Sequence, residues 1–264
     1  MPSVSRGDIE LVFDIQGQGP DLLLIAGTAS DRSLWAQVRS ELSRHFRTIA
    51  FDNRDAGQSS ICSGAYTLQD LAEDARTVLS AAGAAQAHVM GHSLGGMIAQ
   101  ELALLAPERV ASLTLVDTTS RLGTYMQAVI SMALDWCHAI EDRELLVRSL
   151  YFLALGEEAI HNDALGQIAA SLADGAPGQP KEALIRQWEV DLTVDTYDRL
   201  EQIRVPTHVV WGVQDKIIPE VHQFELLDKI VGSKYTRLKH SGHCPMIETP
   251  VAFTEKVLQF FHEQ

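Results

Sequence analysis

Gly91-His92-Ser93-Leu94-Gly95 has the G-x-S-x-G spacing of a serine presented on a sharp turn. The short apolar run before it, 87–90, reads as a buried parallel strand, and 94–105 reads as a helix. A strand that ends abruptly in a helix leaves the serine on strained backbone at the top of a sheet. Glycine suits positions 91 and 95, because side chains there would collide with the turn. The helix N-terminus then aims backbone N–H groups at the serine oxygen, where negative charge develops during acyl transfer. The stretch therefore predicts an α/β fold and a nucleophile at Ser93.

Outward from this turn, strand-like and helix-like patterns alternate. The segment 9–15 alternates like an edge strand, and 21–26 and 46–51 are apolar strands. The run 68–82 has helical period, with Leu71, Ala75, Val78 and Leu79 on one face, and 111–116 is again a strand. Near-continuous apolar strands in a β-α-β-α rhythm mean a mostly parallel sheet covered by helices on both faces. The rhythm breaks after Asp117. Helical patterns fill 125–138, 141–155, 157–173 and 181–189, separated by breaks such as Asp174-Gly175-Ala176-Pro177-Gly178. It resumes with a strand at 206–211, a helix at 220–230, a strand at 234–238 and a helix at 251–263. The expected organisation is a core domain, 1–117 and 206–264, with an all-helical cap, 118–205. The cap leaves the carboxyl ends of parallel strands, where clefts lie.

A chain of 264 residues that is 46% hydrophobic can bury the core of one such domain. Its formal net charge of −14 argues against a nucleic-acid partner and against an anionic membrane surface. Three cysteines, Cys62, Cys137 and Cys244, are a sparse and odd set that suggests a reducing compartment. The first residues carry no basic region followed by an apolar one, and no apolar run approaches the ~20 residues of a membrane-spanning helix. A cytoplasmic protein acting on a small molecule is expected. The chain has no phosphate loop, dinucleotide fingerprint or cluster with metal-ligand spacing, so no cofactor and no metal are expected.

A serine hydroxyl needs a base within hydrogen-bond reach, and the base needs an orienting group. His243 lies in Lys239-His240-Ser241-Gly242-His243-Cys244-Pro245, a loop between the last strand and the last helix, from which an imidazole reaches over the sheet edge. His240 is the weaker candidate, nearer the strand end, and His92 reads as packing beneath the turn. Asp215 follows the strand 207–211 in Trp211-Gly212-Val213-Gln214-Asp215, with Asp117 as its competitor after the preceding strand. An oxyanion hole needs a second backbone donor beside the N–H of Leu94. Thr28 in Gly27-Thr28-Ala29-Ser30, after the strand 22–26, is placed to supply it.

These motifs, together with Phe51-Asp52-Asn53-Arg54-Asp55-Ala56-Gly57-Gln58-Ser59, resemble the α/β-hydrolase superfamily over nearly the whole chain. The resemblance implies a triad of Ser93, Asp215 and His243 and an oxyanion hole of Thr28 and Leu94. Within the superfamily the chain is most similar to the 3-oxoadipate enol-lactonase group of esterases and lactonases, through Leu115-Val116-Asp117-Thr118-Thr119-Ser120-Arg121-Leu122-Gly123-Thr124. Many relatives have His-Gly where this chain has Ala26-Gly27. The implied activity is hydrolysis of a small carboxylic ester or lactone. Hydrolysis of a carbon–carbon bond beside a ketone, cofactor-free perhydrolysis and a non-enzymatic receptor role would use the same residues. Trp35, Met97, Met132, Trp136 and Trp188 are candidate pocket walls. Arg121, Arg143, Arg148 and Arg186 are candidate partners for an acidic substrate.

Overall fold

The computed structural model describes residues 1–167 and 178–263. Eight strands form one sheet: β1 (Ser3–Arg6), β2 (Ile9–Gln16), β3 (Asp21–Ile25), β4 (Arg47–Phe51), β5 (Ala87–His92), β6 (Val110–Val116), β7 (Thr207–Gly212) and β8 (Lys234–Leu238). Their order is β1-β2-β4-β3-β5-β6-β7-β8. The β1–β2 and β2–β4 pairs are antiparallel, and every later pair is parallel. The predicted strand at 9–15 is present, but β1 lies outside it, so β2 is not the edge. β1 is four residues of alternating half-exposure, too short and polar to carry a strand signal.

Helices α1 (Ala36–Leu42), α2 (Leu68–Ala81), α3 (Leu94–Leu105), α4 (Thr124–Ala139), α5 (Arg143–Ala154), α6 (Glu157–His161), α7 (Lys181–Asp191), α8 (Glu220–Lys229), α9 (Pro245–Glu248) and α10 (Pro250–His262) surround the sheet. Thr67 starts α2 with a capping box: its side chain accepts from the Asp70 N–H and the Asp70 carboxylate accepts from the Thr67 N–H. α1 and α9 have no counterpart in the sequence reading. α1 buries only Val38 and Leu42 among its apolar side chains, too few to set a period. It forms because those two pack with Phe46, Phe260 and Phe261. The expected helix at 157–173 is interrupted by turn residues after His161, and Asp163 has a positive φ of 61°. Its part beyond 167, and most of the break after it, lie outside the described residues.

The pleat divides the core. Leu23 and Ile25 of β3 join Val89, Leu113 and the Leu71, Ala75, Val78 and Leu79 face of α2. Leu22 and Leu24 point the other way, toward Trp35, Met90, Phe253 and Val257. Between β6 and β7 the chain leaves the sheet as α4 to α7. There, Ile130, Ala133, Cys137, Leu146, Leu184 and Trp188 form a separate apolar cluster. Among the described residues of this segment the β pairing is one isolated bridge, Arg121 with Asp195.

The β5–α3 junction leaves no room for a side chain. A Cβ on Gly91 would run into the Gly95 carbonyl, and a Cβ on Gly95 would run into the backbone carbonyl of Ile25 in β3. Neither obstacle is a side chain that can rotate away. Gly95→Ala is therefore expected to lower stability by about 2 kcal/mol or more, read in urea unfolding as a lower midpoint at unchanged slope.

Candidate active site

Ser93 occupies the turn between β5 and α3 with φ 53° and ψ −121°, a conformation a non-glycine residue adopts only when its surroundings impose it. Its N–H donates to the Val116 carbonyl at 2.9 Å. Its carbonyl accepts from the N–H groups of Gly96 at 2.8 Å and Met97 at 3.2 Å and from the Thr118 hydroxyl at 2.7 Å. The backbone of Ser93 is thus held on every side, and Leu94 opens α3 immediately after it.

The loops after β7 and β8 meet above the same edge. His243 Nδ1 lies 2.7 Å from Asp215 Oδ2, and both side chains are almost fully buried. Asp215 Oδ1 accepts from the N–H groups of Ile217 at 2.7 Å and Ile218 at 3.0 Å, which fixes the carboxylate. The His243 loop is fixed in turn. Its N–H donates to the Ala154 carbonyl at 2.8 Å. Glu248 accepts from the N–H groups of Gly242 and Cys244, each at 3.0 Å, and from Gly156 at 2.7 Å.

His92 does more than pack. Its Nε2 donates to the His243 carbonyl at 2.7 Å, and the two rings are 4.7 Å apart. Burial, and then the nearby His243, hold its pKa well below the ordinary histidine value. At neutral pH it is an uncharged donor joining the residue before Ser93 to the His243 loop. His240 points elsewhere and pairs with Glu158 at the surface, 3.0 Å away.

Asp117 lies beside the pair. Atoms of Asp117, Asp215 and His243 fall within 4.8 Å of one another, the one group with metal-like spacing found among the described residues. Their oxygens and nitrogen are largely taken by the bonds above, and Asp117 Oδ1 accepts from the Gly212 N–H at 2.9 Å. Burial, and then the Asp215 charge, push the Asp117 carboxyl well above the usual carboxylate range. A neutral acid cannot supply the negative charge an imidazolium needs.

The loop after β3 carries Gly27 and Thr28. A Cβ on Gly27 would lie 2.9 Å from Ser93 Cβ, so the loop backbone runs directly beside the serine. Asn53 Nδ2 donates to the Ala26 carbonyl at 2.9 Å. From α7, Asp191 accepts from the Thr28 hydroxyl at 2.6 Å and Gln187 accepts from the Ala29 N–H at 3.1 Å. Asp191 and Gln187 were not anticipated. Their one signal is two polar residues, four apart, on a helix face otherwise holding Ala183, Leu184 and Trp188.

Of the pocket candidates, Trp35 is fully enclosed with Leu34, Val38 and Met246, and Met97 is buried on the α3 face of the core. Trp188 and the half-buried Trp136 belong to the cluster between α4, α5 and α7, and Met132 is exposed. Arg121, Arg148 and Arg186 each have an acidic partner. Arg121 pairs with Glu225 at 2.6 Å, Arg148 with Glu144 at 3.6 Å, and Arg186 with buried Asp55 at 2.7 Å.

The α/β hydrolase fold family model matches residues 20–250, and the chain belongs to that family of enzymes. It is 30% identical, over all of its length and 99% of the relative's, to a protein of Azorhizobium caulinodans assigned the name carbamate hydrolase RutD. It is also 30% identical, over 92% of its length and 96% of the relative's, to the pimeloyl-[acyl-carrier protein] methyl ester esterase of Aeromonas salmonicida. Among solved structures, the enol-lactonase of Burkholderia xenovorans superposes with a TM-score of 0.89 at 25% identity, covering 99% of this chain and 100% of the other. Among the described residues no helix is long and apolar enough to cross a membrane.

Burial pushes the Asp191 carboxyl up to about 7, against the lowering effects of Thr28 and then His243. The unfolded chain has it at about 3.9. Between these values the folded protein holds the extra proton, so stability falls as pH rises through the window and stays lower above about 7. Asp191→Asn keeps an oxygen for Thr28 and cannot ionise. Relative to wild type it is expected to gain on the order of a few kcal/mol of stability between pH 4 and pH 8. Urea midpoints of both proteins at the two pH values check this.

Proposed function

We propose that this protein is a serine hydrolase that cleaves a small carboxylic ester or lactone through an acyl-enzyme on Ser93. The observation that carries the reading is the 2.7 Å His243–Asp215 contact, in a chain that also has the strained Ser93 turn. Three relatives named for different substrates, a carbamate, a methyl ester and an enol-lactone, support it. All three substrates present a carbonyl carbon with a departing heteroatom.

In this mechanism His243 takes the Ser93 proton as Oγ attacks the carbonyl, then returns it to the leaving oxygen. A water molecule follows the same route to release the acid. Asp215 holds the imidazole tautomer with Nδ1 protonated and stabilises the imidazolium. The N–H groups of Leu94 and Thr28 receive the oxyanion. The segment 118–205 acts as a cap over this site. Side chains of this segment set the shape that an acyl group must match.

Ser93→Ala is expected to lose about 10³-fold or more in kcat on phenyl acetate, and a fluorophosphonate probe should label wild type alone. Equal labelling of the alanine variant would remove Ser93 from the role. Asp215→Asn should cost about 10²- to 10⁴-fold in kcat, because an amide favours the wrong imidazole tautomer. Asp117→Asn, which mimics an acid already neutral, should cost less than about tenfold. The reverse order in two folded variants would exchange their assignments.

A further inference from the structure

Gln187 and Asp191 stand one helical turn apart on α7 and share a face. Both grip the loop after β3, where Ala29 is held at a positive φ of 60°. Gln187 is fully engaged there. Its oxygen accepts from the Ala29 N–H and from Gln179 Nε2 at 2.9 Å, and its nitrogen donates to the Arg54 carbonyl at 3.4 Å. Asp191 differs. Oδ2 accepts from the Thr28 hydroxyl, while Oδ1 is buried without a partner among the described residues. A buried carboxylate oxygen left unpaired costs free energy that a hydrogen-bond donor would recover.

The surroundings of Asp191 say where that donor comes from. Thr28 follows Gly27, whose backbone runs beside Ser93. Burial raises the Asp191 carboxyl to about 7, against Thr28 and the nearby His243, so it is an ionised acceptor above that pH, and the test is run at about pH 8. The buried, unpaired oxygen therefore belongs to a side chain bonded to Thr28, one of the groups proposed to bind the acyl carbonyl.

We propose that Asp191 is a substrate-recognition residue whose free oxygen accepts a hydrogen bond from an O–H or N–H that the substrate carries beside the carbonyl attacked by Ser93. The inference rests on the serine-hydrolase reading and adds a substrate class to it: acyl compounds with a hydrogen-bond donor next to the reactive carbon. A purely apolar acyl group leaves Oδ1 unpaired and is discriminated against. Sites that hydrogen-bond a substrate group reject analogues lacking it more strongly than apolar pockets reject a change of size.

The test is a matched pair of phenyl esters, 2-hydroxypropanoate and 2-methylpropanoate, in which a hydroxyl replaces a methyl of similar volume. Values of kcat/KM, each divided by the rate of that ester with hydroxide, are compared for wild type, Asp191→Asn and Asp191→Ala. Wild type should favour the hydroxy ester by about tenfold or more. Asp191→Ala should bring the ratio to within about twofold of one. Asp191→Asn retains an oxygen for Thr28, so its loop stays supported, and should give an intermediate ratio, because its amide nitrogen donates to the hydroxyl where Oδ1 accepted from it. A wild-type ratio near one, as expected if water alone fills the site, overturns the proposal. So does an equal slowing of both esters with the ratio kept, which would mean that Asp191 only positions the Thr28 loop. Absence of Ser93-dependent turnover in wild type is a separate result that removes the serine-hydrolase reading and this proposal together.

Discussion

The backbone of Ser93 is held where a side-chain-bearing residue does not settle unaided, and much of the molecule serves to hold it there. β5 must end within one residue of the start of α3, which brings Gly91 against the Gly95 carbonyl and Gly95 against the β3 backbone. That approach sets how α3 crosses the sheet. The Val116 carbonyl and the Thr118 hydroxyl, from β6 and just beyond it, anchor the two sides of the Ser93 peptide. A strained turn persists only where packing over-determines it. Here the packing is a helix pressed on a sheet through glycine, with no side chain available to yield.

The parallel register does the rest of the assembly. β5, β6, β7 and β8 are neighbours in order, so the residues after their carboxyl ends, Ser93, Asp117, Asp215 and His243, fall along one edge. Two acids arrive beside one imidazole, and their environments separate them. Asp215 is ringed by N–H donors, whereas Asp117 has one donor and is fully buried beside the charge of Asp215. Burial and that neighbouring charge raise the Asp117 carboxyl, while Asp215 is the acid in contact with the imidazole.

The sheet and the turn were legible because their signals are local. The G-x-S-x-G spacing, the apolar strands and the helical period of α2 each sit within a few residues, and β3 to β8 appear within a residue or two of expectation. β1 and α1 were illegible because their stability comes from partners far along the chain: β1 from pairing with β2, α1 from the aromatic residues of α10. The same distinction holds in the site. Asp215 and His243 follow apolar strands and could be named, although only folding brings them together across 28 residues. His92 read as packing because a donor to the backbone of residue 243 leaves no mark at position 92. Glu248, Gln187 and Asp191 were invisible for the same reason.

Those less visible residues alter how the segment between β6 and β7 relates to the chemistry. The loop after β3 takes its support from Asn53 on one side and from Gln187 and Asp191 on the other. Buried Asp55, paired with Arg186, fastens the same helix to the core. The His243 loop likewise bonds to Ala154 at the end of α5, and Glu248 spans Gly156 and Gly242. Both loops that would handle the acyl carbonyl thus take part of their shape from the inserted helices. A displacement of α7 would release Thr28 and Ala29 together, because one helix face holds both. Under the proposed mechanism, substrate selection and transition-state geometry are coupled through a single helix, and a substitution on that face would register in kcat as well as in KM.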